Sequence, residues 1–587
     1  MNFLKSTHLL VQFVKAKWYI YASGILFIAV ANIVQAYYPR ILGEFTEQLE
    51  DGALTKVLIA DYSLLLMGVG IAFAILAGIG QFHIMYVGRI FEFFTRKRLF
   101  DHFTTLSESF YSKNGVGKLL SYVMNDVTAV RESISMGVNQ STNALMLLLS
   151  AVFFMMYGSI PLYLILICVL PMLTIPWIVV RFGPVIRQRS MTVQQSLARM
   201  TESAEEQFGG IRVTKKFAVE PIMNERFGDT VDTVRDNQLL LVRVSSLFQA
   251  VIPFLGGISL MMTIGLGGYL TIRGHISLRQ FVELTLYIRM MVNPLQQIGN
   301  VINTMQRSRA SLERLNELLG RRSEVQEDEF AQAIDLQDTS ISIKQLSFSY
   351  PDATQEALHE IDLEIEPGAI VGIIGRTGSG KTTLMKLLLR IYEPPKGTVW
   401  VGDTDIREMT LESLREQIAY VPQEGFLFST SIRDNIAFYQ RDTAFEFVEK
   451  ASKQAQIYNN ITELPNKFDT KLGERGVTLS GGQRQRTSLA RGIIKNAPIM
   501  ILDDSVSAVD SVTENDIIAE LRSERKNKTT IIIAHRISAL KYADKIIVLD
   551  KGRIVQRGTH KELLAQKGIY AKLHAIQEEG NPHAEGI

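Results

Sequence analysis

The stretch Gly375-Arg376-Thr377-Gly378-Ser379-Gly380-Lys381-Thr382 decides the fold of the second half of this chain. It follows an apolar, strand-like run at residues 370–374 and leads into a helical pattern at residues 382–392. The glycines allow backbone N–H groups to converge on phosphate oxygens, and Lys381 supplies a cation for the β- and γ-phosphates. The Thr382 hydroxyl is suited to ligate Mg²⁺. The stretch therefore predicts a phosphate-binding loop in an α/β domain.

A second segment, Leu479-Ser480-Gly481-Gly482-Gln483, follows later in the chain and makes this prediction more specific. A phosphate loop alone is only a moderately specific pattern, because glycine is common in proteins. Ser480 and the two glycines, with a helical pattern directly behind them, offer hydroxyl and backbone N–H donors to a γ-phosphate. The two segments together indicate a domain that binds and hydrolyses ATP.

Two further apolar runs are typical of buried parallel strands that end in polar side chains. Residues 498–502 are followed by Asp503-Asp504, and residues 529–534 are followed by His535. Because ligands bind at the carboxyl edge of a parallel sheet, we expect these three side chains to lie at the nucleotide. Asp503 suits coordination of Mg²⁺, and His535 suits a hydrogen bond to the γ-phosphate better than a purely structural role.

The boundaries of this domain follow from composition. Residues 321–340 are polar and acidic, which is typical of a linker, and strand-like alternation begins at Ile341. We predict a nucleotide-binding domain at residues 341–577 and a disordered, dispensable tail at residues 578–587, which have no apolar pattern. Tyr350 lies in a turn before the phosphate loop, where its ring either stacks on adenine or is buried at a strand end.

The first half of the chain differs because it contains long apolar stretches without charge. With 587 residues and a mass of 66.0 kDa, the chain is too long for a single core. Its hydrophobic content of 47% and mean hydropathy of +0.11 fit a mixture of a membrane domain and a soluble domain. The net charge of +2 gives no indication of nucleic-acid binding, and the single cysteine, Cys168, excludes an intramolecular disulfide. We predict no cleavable signal peptide.

Six stretches are long enough to cross a hydrocarbon layer of about 30 Å, which takes roughly 20 helical residues. We predict spans near residues 18–38, 62–88, 136–158, 160–182, 245–272 and 280–301. The sixth span contains Glu283 and Arg289, which are expensive to bury and would either line a substrate pathway or form structural pairs. The predicted fold class is an all-α, six-helix transmembrane domain at residues 1–320, followed by an α/β P-loop ATP-binding domain.

An even number of spans puts both ends of the chain on the same side of the membrane. If that side is the cytoplasm, the N-terminal segment and the loops 89–132 and 181–243 contain 20 Lys and Arg residues, against 4 in the outer connections. This distribution predicts a multi-pass protein of the bacterial cytoplasmic membrane with its ATP-binding domain inside. Both inner loops have helical periodicity, so we expect long cytoplasmic helical extensions.

These motifs and their order resemble the ATP-binding-cassette (ABC) exporters, in which a six-span membrane domain precedes the cassette on one chain. The resemblance covers essentially all of residues 10–577. It implies ATP and Mg²⁺ as cofactors, extensions whose tips dock on the cassette, and two cassettes paired head to tail, so that each signature serves the partner's nucleotide. The implied roles are adenine stacking by Tyr350, phosphate binding by residues 375–383 including Thr383, Mg²⁺ coordination by Thr382, Gln423 and Asp503, signature contacts by Leu479, Ser480, Gly481, Gly482 and Gln483, an inter-domain loop at Ser507-Ala508-Val509-Asp510, and catalysis by Asp504, Gln423 and His535.

One position departs from the family pattern. The residue after the magnesium aspartate is usually Glu, and here it is Asp504, which is one methylene shorter. A general base must reach the attacking water, and a misplacement of about 1 Å can cost roughly 100-fold in rate. With its signature intact, the chain resembles one subunit of the bacterial heterodimeric multidrug exporters, with a degenerate site of its own. This implies a second half-transporter chain with Glu at that position and an altered signature. A homodimer that tolerates Asp is the alternative.

The predicted function is ATP-driven export of amphipathic drugs or dyes, in which nucleotide biases a bistable membrane domain. An importer is disfavoured because the membrane domain precedes the cassette. A peptide exporter with an N-terminal protease domain is disfavoured because only 17 residues precede the first span. A homodimeric exporter of lipid or peptide and, more remotely, an ATP-gated channel are the alternatives.

Overall fold

The computed structural model describes residues 8–334, 338–351, 353–473, 476, 479–507 and 509–579, without the side chains at 8, 176, 180, 296, 299, 300, 303 and 579. The chain forms two compact units. The first comprises the residues up to Thr105 together with Asn114–Arg321, and the second comprises Leu106–Lys113 together with the residues from Arg322 onward. The segment Leu106–Lys113, predicted as part of a cytoplasmic extension, thus belongs to the second unit.

The first unit is built of helices. Charge-free apolar runs account for their length, because a helix satisfies all its backbone groups internally wherever water is absent. The helices are α1 His8–Ala36, α2 Tyr38–Glu50, α3 Lys56–Thr105, α4 Glu108–Ser121 (whose residues up to Lys113 belong to the second unit), α5 Val127–Glu132, α6 Val138–Tyr157, α7 Leu162–Gly209, α8 Ile211–Phe217, α9 Glu220–Met262, α10 Gly268–Ile272 and α11 Leu278–Gly320, with π-helical turns at Tyr122–Asp126, Ser133–Gly137 and Thr263–Gly267.

Five helical stretches in the described part of the chain are long and apolar enough to cross a membrane. They are Leu9–Glu50, Lys56–Thr105, Glu108–Tyr157, Leu162–Gly209 and Glu220–Ile272. These cover the first five predicted spans except residues 158, 160 and 161, which lie in the turn expected at residues 158–161, between α6 and α7. The sixth predicted span, residues 280–301, lies within α11, which is helical but too polar to count with the other five.

A buried ionic cluster explains part of the polarity of α11. The Glu283 side chain is 1% exposed and accepts a hydrogen bond from Arg279 Nε at 2.9 Å. Arg279 also binds Glu44 at 2.8 Å and Glu47 at 3.2 Å, both on α2. A Cβ added at Gly43 would lie 2.6 Å from the Glu283 side chain, so glycine is needed there. Glu283 was predicted either to line a substrate pathway or to form a structural pair. The structure favours the pair, in which Arg279 compensates a charge that is costly to bury.

Arg289, the other charged residue of the sixth predicted span, is exposed and lies outside this cluster. The neighbours of Glu283 on α11 are apolar instead. Leu284, Tyr287 and Ile288 are fully buried and pack with residues of α6 and α7, including Met155. This packing fixes α11 against the other helices, since well-packed apolar contacts leave few voids.

The second unit contains two sheets. Strands β1 Ile341–Phe348, β2 Leu358–Ile365, β4 Val399–Val401 and β5 Thr404–Asp405 form an antiparallel sheet in the order β2-β1-β4-β5. Strands β3 Ile370–Gly375, β6 Ile418–Val421, β7 Ile499–Asp503, β8 Thr529–Ile533, β9 Lys545–Asp550 and β10 Arg553–Gly558 form the second sheet in the order β10-β9-β3-β8-β7-β6. All pairs of this sheet are parallel except β10 with β9.

The parallel strands of this sheet are buried on both faces, which is why their central residues are apolar, whereas the antiparallel edge strand β10 is partly exposed. Successive residues enter different cores: Ile373 packs in one cluster with α12, and Ile374 packs in the other with α17. The helices of this unit are α12 Lys381–Leu388, α13 Leu411–Glu416, α14 Ile432–Ile436, α15 Phe445–Gln454, α16 Tyr458–Thr462, α17 Gly481–Ile494, α18 Ser511–Glu524, α19 His560–Ala565 and α20 Ile569–Glu579, with a 3₁₀ turn at Lys467–Asp469.

The C-terminal helix α20 includes Gln577 and the next two residues. The predicted tail at 578–587 therefore starts with two helical residues. Its remaining positions, 580–587, lie outside the described residues, as do positions 335–337 of the predicted linker.

Candidate nucleotide-binding site

The phosphate loop lies between β3 and α12, at the carboxyl edge of the parallel sheet. Gly378 has a φ of 78° and Gly380 a φ of 101°, which side chains with a Cβ rarely adopt. A Cβ at Gly375 would lie 2.1 Å from the Leu549 carbonyl oxygen, so only glycine fits beside β9. The loop glycines singled out in the sequence are thus required by backbone conformation or by close packing.

Lys381, the first residue of α12, is buried beneath this loop, with 6% of its surface exposed. Its Nζ donates hydrogen bonds to the carbonyl oxygens of Gly375 at 2.9 Å and Arg376 at 3.0 Å. Burial lowers the pKa of Lys381, while the nearby Asp503 and Asp504 oppose that change. A buried ammonium group bound only to neutral carbonyls fits a phosphate group, which would supply the missing negative charge.

The hydroxyl of Ser379 supports the same fit. Its Oγ is buried and has no hydrogen-bond partner among the described residues. A buried polar atom without a partner is costly, and a phosphate oxygen of a bound nucleotide would satisfy it.

Thr382 and Asp503, both predicted to coordinate Mg²⁺, lie close together because α12 begins and β7 ends at the same edge of the sheet. Thr382 Oγ1 lies 3.3 Å from Asp503 Oδ1, and the Tyr420 hydroxyl donates to Asp503 Oδ2 at 3.0 Å. Burial is the main cause that raises the pKa of Asp503, against the lowering effect of both hydrogen bonds. A hydroxyl and a carboxylate are the hard oxygen donors that Mg²⁺ prefers, so these residues fit the ion. Mg²⁺ bound there would neutralise charge on the phosphates.

Asp504 and Gln423, both predicted to be catalytic, contact each other. Gln423 Nε2 donates a hydrogen bond to Asp504 Oδ2 at 3.1 Å. Asp504 is 6% exposed, and its Oδ1 has no hydrogen-bond partner among the described residues. This oxygen is therefore the group available to accept a proton from an attacking water.

His535 lies at the end of β8, beside β7 in the parallel sheet. Asp503 pairs with Ile533 in the sheet register, and Asp504 N donates to the Ile533 carbonyl at 2.8 Å, which brings the two strand ends together. The His535 side chain is exposed. Its backbone is held by Gln577 of α20, which donates to the His535 carbonyl at 2.7 Å and accepts from Ile537 N at 2.9 Å.

Tyr350, the predicted adenine-stacking residue, lies next to the phosphate loop. Its hydroxyl is 2.9 Å from the Thr383 hydroxyl, and its ring packs edge-on against Tyr392 with centroids 5.0 Å apart. Lys386 lies over the Tyr392 ring and pairs with Glu108 at 2.6 Å. The ring of Tyr350 is half-buried, which is compatible with either predicted role.

The signature segment has a different environment. Ser480 caps the N-terminus of α17: its Oγ accepts from Gln483 N at 3.3 Å, and its own N–H donates to Gln483 Oε1 at 3.0 Å. Leu479 is buried, whereas Ser480 and Gly481 are exposed and Gly482 and Gln483 are partly exposed. The helix N-terminus with its donors is therefore accessible to a phosphate group.

The predicted inter-domain loop precedes α18. Asp510 caps that helix by accepting from Thr513 N at 3.0 Å, and backbone and side-chain hydrogen bonds from Thr513 lower its pKa. Ser507 Oγ donates to the Asp504 carbonyl at 2.9 Å. Ala508 lies outside the described residues.

Sequence reasoning missed three residues of this site. Tyr420 binds Asp503, Gln577 holds the His535 segment, and Gln485 donates to the backbone of both Gln423 and Asp504. Gln485 carried a detectable signal, because it lies four residues before Leu489 on the apolar face of α17, where a polar side chain needs partners.

The fold and the site define a class of protein: a membrane-spanning P-loop ATPase, with an ATP-binding α/β unit and a unit of long apolar helices on one chain. Two family profiles match it. The ABC transporter transmembrane region matches residues 21–295, and the ABC transporter domain matches residues 358–507.

Individual relatives cover nearly the whole chain. It is 34% identical over 573 residues to the probable multidrug resistance ABC transporter ATP-binding/permease protein YheI of Bacillus subtilis, covering 96% of each chain. It is 31% identical over 563 residues to the ATP-dependent lipid A-core flippase of Salmonella typhimurium, covering 95% of this chain and 96% of the flippase. The chain therefore belongs to the ABC transporters and is an exporter half-transporter driven by ATP hydrolysis.

A solved structure shows the same fold. The structure of a bacterial Atm1-family ABC exporter with ATP bound superposes with a TM-score of 0.79 at 24% identity, covering 96% of this chain and 98% of the other. The predicted fold class, a helical transmembrane domain followed by an α/β cassette, is confirmed.

Proposed function

We propose that this chain is one half of a heterodimeric exporter of amphipathic compounds, and that its own nucleotide site hydrolyses ATP slowly. The observation that carries the proposal is the geometry at Asp504. Its short carboxylate is bound through Oδ2 to the Gln423 amide, and Oδ1 has no partner among the described residues. A side chain one methylene longer would carry the carboxylate further out from β7, toward an attacking water.

The rate penalty follows from the geometric demand of proton transfer. A general base acts within hydrogen-bond distance of the water, and a shift of about 1 Å can cost roughly 100-fold. Asp504 also leaves β7 with a φ of 49°, so it lacks the freedom of an extended residue to move toward the water. ATP bound at this site would therefore be cleaved slowly and would stay bound for longer than at a site with an efficient base.

The signature provides the complementary argument. Ser480 and Gly481 are exposed at a capped helix N-terminus, so this chain offers intact donors for a nucleotide bound by another chain. The proposed partner is a second half-transporter with Glu at the hydrolytic position and an altered signature, paired head to tail with this one. The partner's site, completed by the present signature, would carry most of the turnover.

The substrate class rests on the relatives. YheI is named a probable multidrug resistance transporter, which supports amphipathic drugs or dyes. Other relatives are named lipid A-core flippases, which favours a homodimeric lipid exporter as the second candidate. In both cases we place the protein in the bacterial cytoplasmic membrane with both termini and the cassette in the cytoplasm, because the inner loops contain the excess of Lys and Arg.

The proposal is tested by isolating the assembly from native membranes through an affinity tag on this chain. Mass spectrometry identifies any second chain, and ATPase rates compare the assembly with this chain expressed alone. We expect a second ABC chain in equal amount and low activity for this chain alone. Asp504→Glu should raise cleavage at its own site by about tenfold or more, whereas Asp504→Asn should lower it to a small but measurable residual rate.

Dye efflux in inverted vesicles, compared with flipping of a labelled lipid, decides the substrate class. A single-chain assembly that cleaves ATP briskly in both sites, with no gain from Asp504→Glu, contradicts the heterodimer.

A further inference from the structure

Gln485 connects two catalytic segments to the helix that begins at the signature. It lies on the buried face of α17 and is 6% exposed. Its Nε2 donates to the Gln423 carbonyl oxygen at 3.2 Å and to the Asp504 carbonyl oxygen at 3.2 Å. One side-chain amide has two N–H groups, so both hydrogen bonds form at once.

The backbone of Asp504 depends on such bonds. Its φ of 49° is left-handed, a conformation that non-glycine residues keep only where their surroundings hold it. The Asp504 N–H is bound to the Ile533 carbonyl at 2.8 Å, and its carbonyl accepts from Gln485 and from Ser507 Oγ at 2.9 Å. Gln485 is therefore one of three groups that fix the peptide from which the catalytic carboxylate projects.

The loop after β6, which carries Gln423, also rests on α17. A Cβ added at Gly425 would lie 2.9 Å from the Arg484 carbonyl oxygen and 3.1 Å from Ser488 Cβ, so this loop touches the helix directly. Arg491, further along α17, donates to the Phe426 carbonyl at 2.8 Å. The loop is thus attached to one helix at three successive points, and Gln485 is the attachment nearest to the carboxylate.

We propose that Gln485 is a positioning residue for ATP hydrolysis. It holds the backbones of Gln423 and Asp504 in register with each other and with α17, so that the Asp504 carboxylate keeps its place at the phosphate loop. The inference holds for one chain by itself and does not depend on whether the partner is identical or different.

A second consequence does rest on the proposed function. If the signature binds the partner's nucleotide, any shift of α17 that accompanies that contact moves Gln485, which lies five residues after Ser480 on the same helix. The carbonyls of Gln423 and Asp504 move with it. Occupation of one nucleotide site would then adjust the catalytic groups of the other.

The test uses Gln485→Met in the full-length chain, purified from membranes with whatever partner it has. Methionine keeps the length of the side chain and removes both donors. Radiolabelled azido-ATP is crosslinked and the chains are separated, so that bound ATP and ADP are counted for this chain alone. We expect cleavage at its own site to fall about tenfold, while total nucleotide labelling stays within about twofold, because positioning affects the chemical step more than binding.

Gln454→Met is the matched control. Gln454 is also a buried glutamine of this unit, with 8% of its surface exposed, and it lies on α15. A general loss of packing should lower the melting temperature of both variants alike, whereas only Gln485→Met should lower cleavage. Unchanged cleavage, or an equal loss in the two variants, overturns the proposal.

A double-mutant cycle with Asp504→Asn separates positioning from any independent effect. Once the carboxylate is neutralised, Gln485→Met should lower cleavage by less than about twofold further, because its target is gone. A full tenfold loss in both backgrounds contradicts an action through Asp504. Cleavage with and without Gln485→Met is compared at this chain's own site. The test of Gln485 therefore remains valid even if the wild-type site cleaves ATP rapidly and the protein is not a heterodimer.

Discussion

The cassette carries two half-sites of opposite character. At the phosphate loop, Lys381, Asp503 and Asp504 are all nearly buried, and the two aspartates are bound to Thr382 and Gln423, which are far away in sequence. At the signature, Ser480 and Gly481 are exposed, and the hydrogen bonds of Ser480 are made within the first turn of its own helix. Tertiary packing thus preorganises the first half-site, whereas the second only presents a helix N-terminus.

The difference in burial between the two half-sites indicates which of them is formed by this chain alone. The buried Ser379 hydroxyl has no partner among the described residues and the buried Lys381 ammonium is bound to neutral carbonyls, so the first half-site is suited to a phosphate ligand of this chain. An exposed, self-capped helix N-terminus has no unsatisfied buried group. It gains a role only when another molecule brings a phosphate to it.

The largest expected effect comes from removing the buried cation. Lys381→Ala takes away the ammonium group beneath the loop, so nucleotide labelling of this chain should fall by roughly 100-fold or more. Crosslinking with azido-ATP measures it. Lys386→Ala is the control, because that lysine lies on the same helix but pairs with Glu108. Retained labelling in Lys381→Ala would contradict the assignment of the first half-site.

Ser480→Ala tests the second half-site and should have the next largest effect. Loss of the cap costs about 1 kcal/mol of folding free energy, so an ordinary destabilisation must be separated from a lost phosphate contact. Thr559→Ala removes the same capping box from α19, away from the signature. Both variants should melt alike, but only Ser480→Ala should lower turnover of the whole assembly, by about tenfold.

Labelling of this chain's own site should be unchanged in Ser480→Ala. If own-site binding falls in that variant while the partner's is kept, the two half-sites serve one nucleotide and the comparison above is wrong.

Much of the first half-site could be predicted from the sequence, because the patterns that indicate it are local. Glycine spacing, an apolar strand and a following helix predict the phosphate loop, and strands ending in Asp503 and His535 predict the residues at the sheet edge. The order of strands, with β3 between β8 and β9, is not local, because each pairing joins segments far apart in the chain.

Other features depend on contacts that no short pattern reveals. Arg279 pairs with Glu44 and Glu47 across more than 230 residues, so the sequence left open whether Glu283 lines a pathway or forms a structural pair, and only the structure shows the buried ionic cluster. The left-handed backbone of Asp504 is likewise invisible in sequence, since it is imposed by Ile533, Gln485 and Ser507.

Gln577 of α20 allows the support of the His535 segment in the first half-site to be tested. Gln577→Met removes both hydrogen bonds to the segment after β8, so His535 loses its support and cleavage at this chain's site should fall by about threefold. Truncation after Glu579 removes only residues 580–587 and should leave cleavage unchanged. A loss in the truncated chain would contradict the dispensable tail, and no loss in Gln577→Met would contradict the support of His535 by α20.

Asp503→Asn should have the smallest effect, seen in stability without nucleotide. Burial raises the pKa of Asp503, so the folded state favours its protonated form, and the ionised form costs stability as pH rises through the folded pKa. At pH 7.5 the variant should therefore melt higher than wild type. The difference in melting temperature should shrink as the pH falls toward the pKa of Asp in the unfolded chain. There Asp503 is protonated and therefore neutral, like the Asn that replaces it.

In saturating Mg-ATP the wild type should instead melt higher than Asp503→Asn. Binding stabilises only the protein that binds the ligand, by about 2.7 kcal/mol at 100 times Kd. Asp516→Asn, an exposed aspartate on α18, controls for the lost charge and should change neither melting temperature. If Asp503→Asn melts lower without nucleotide, Asp503 acts as a structural carboxylate for Tyr420 and Thr382. The first half-site would then be built for its own stability and not, as its unsatisfied groups indicate, for a ligand.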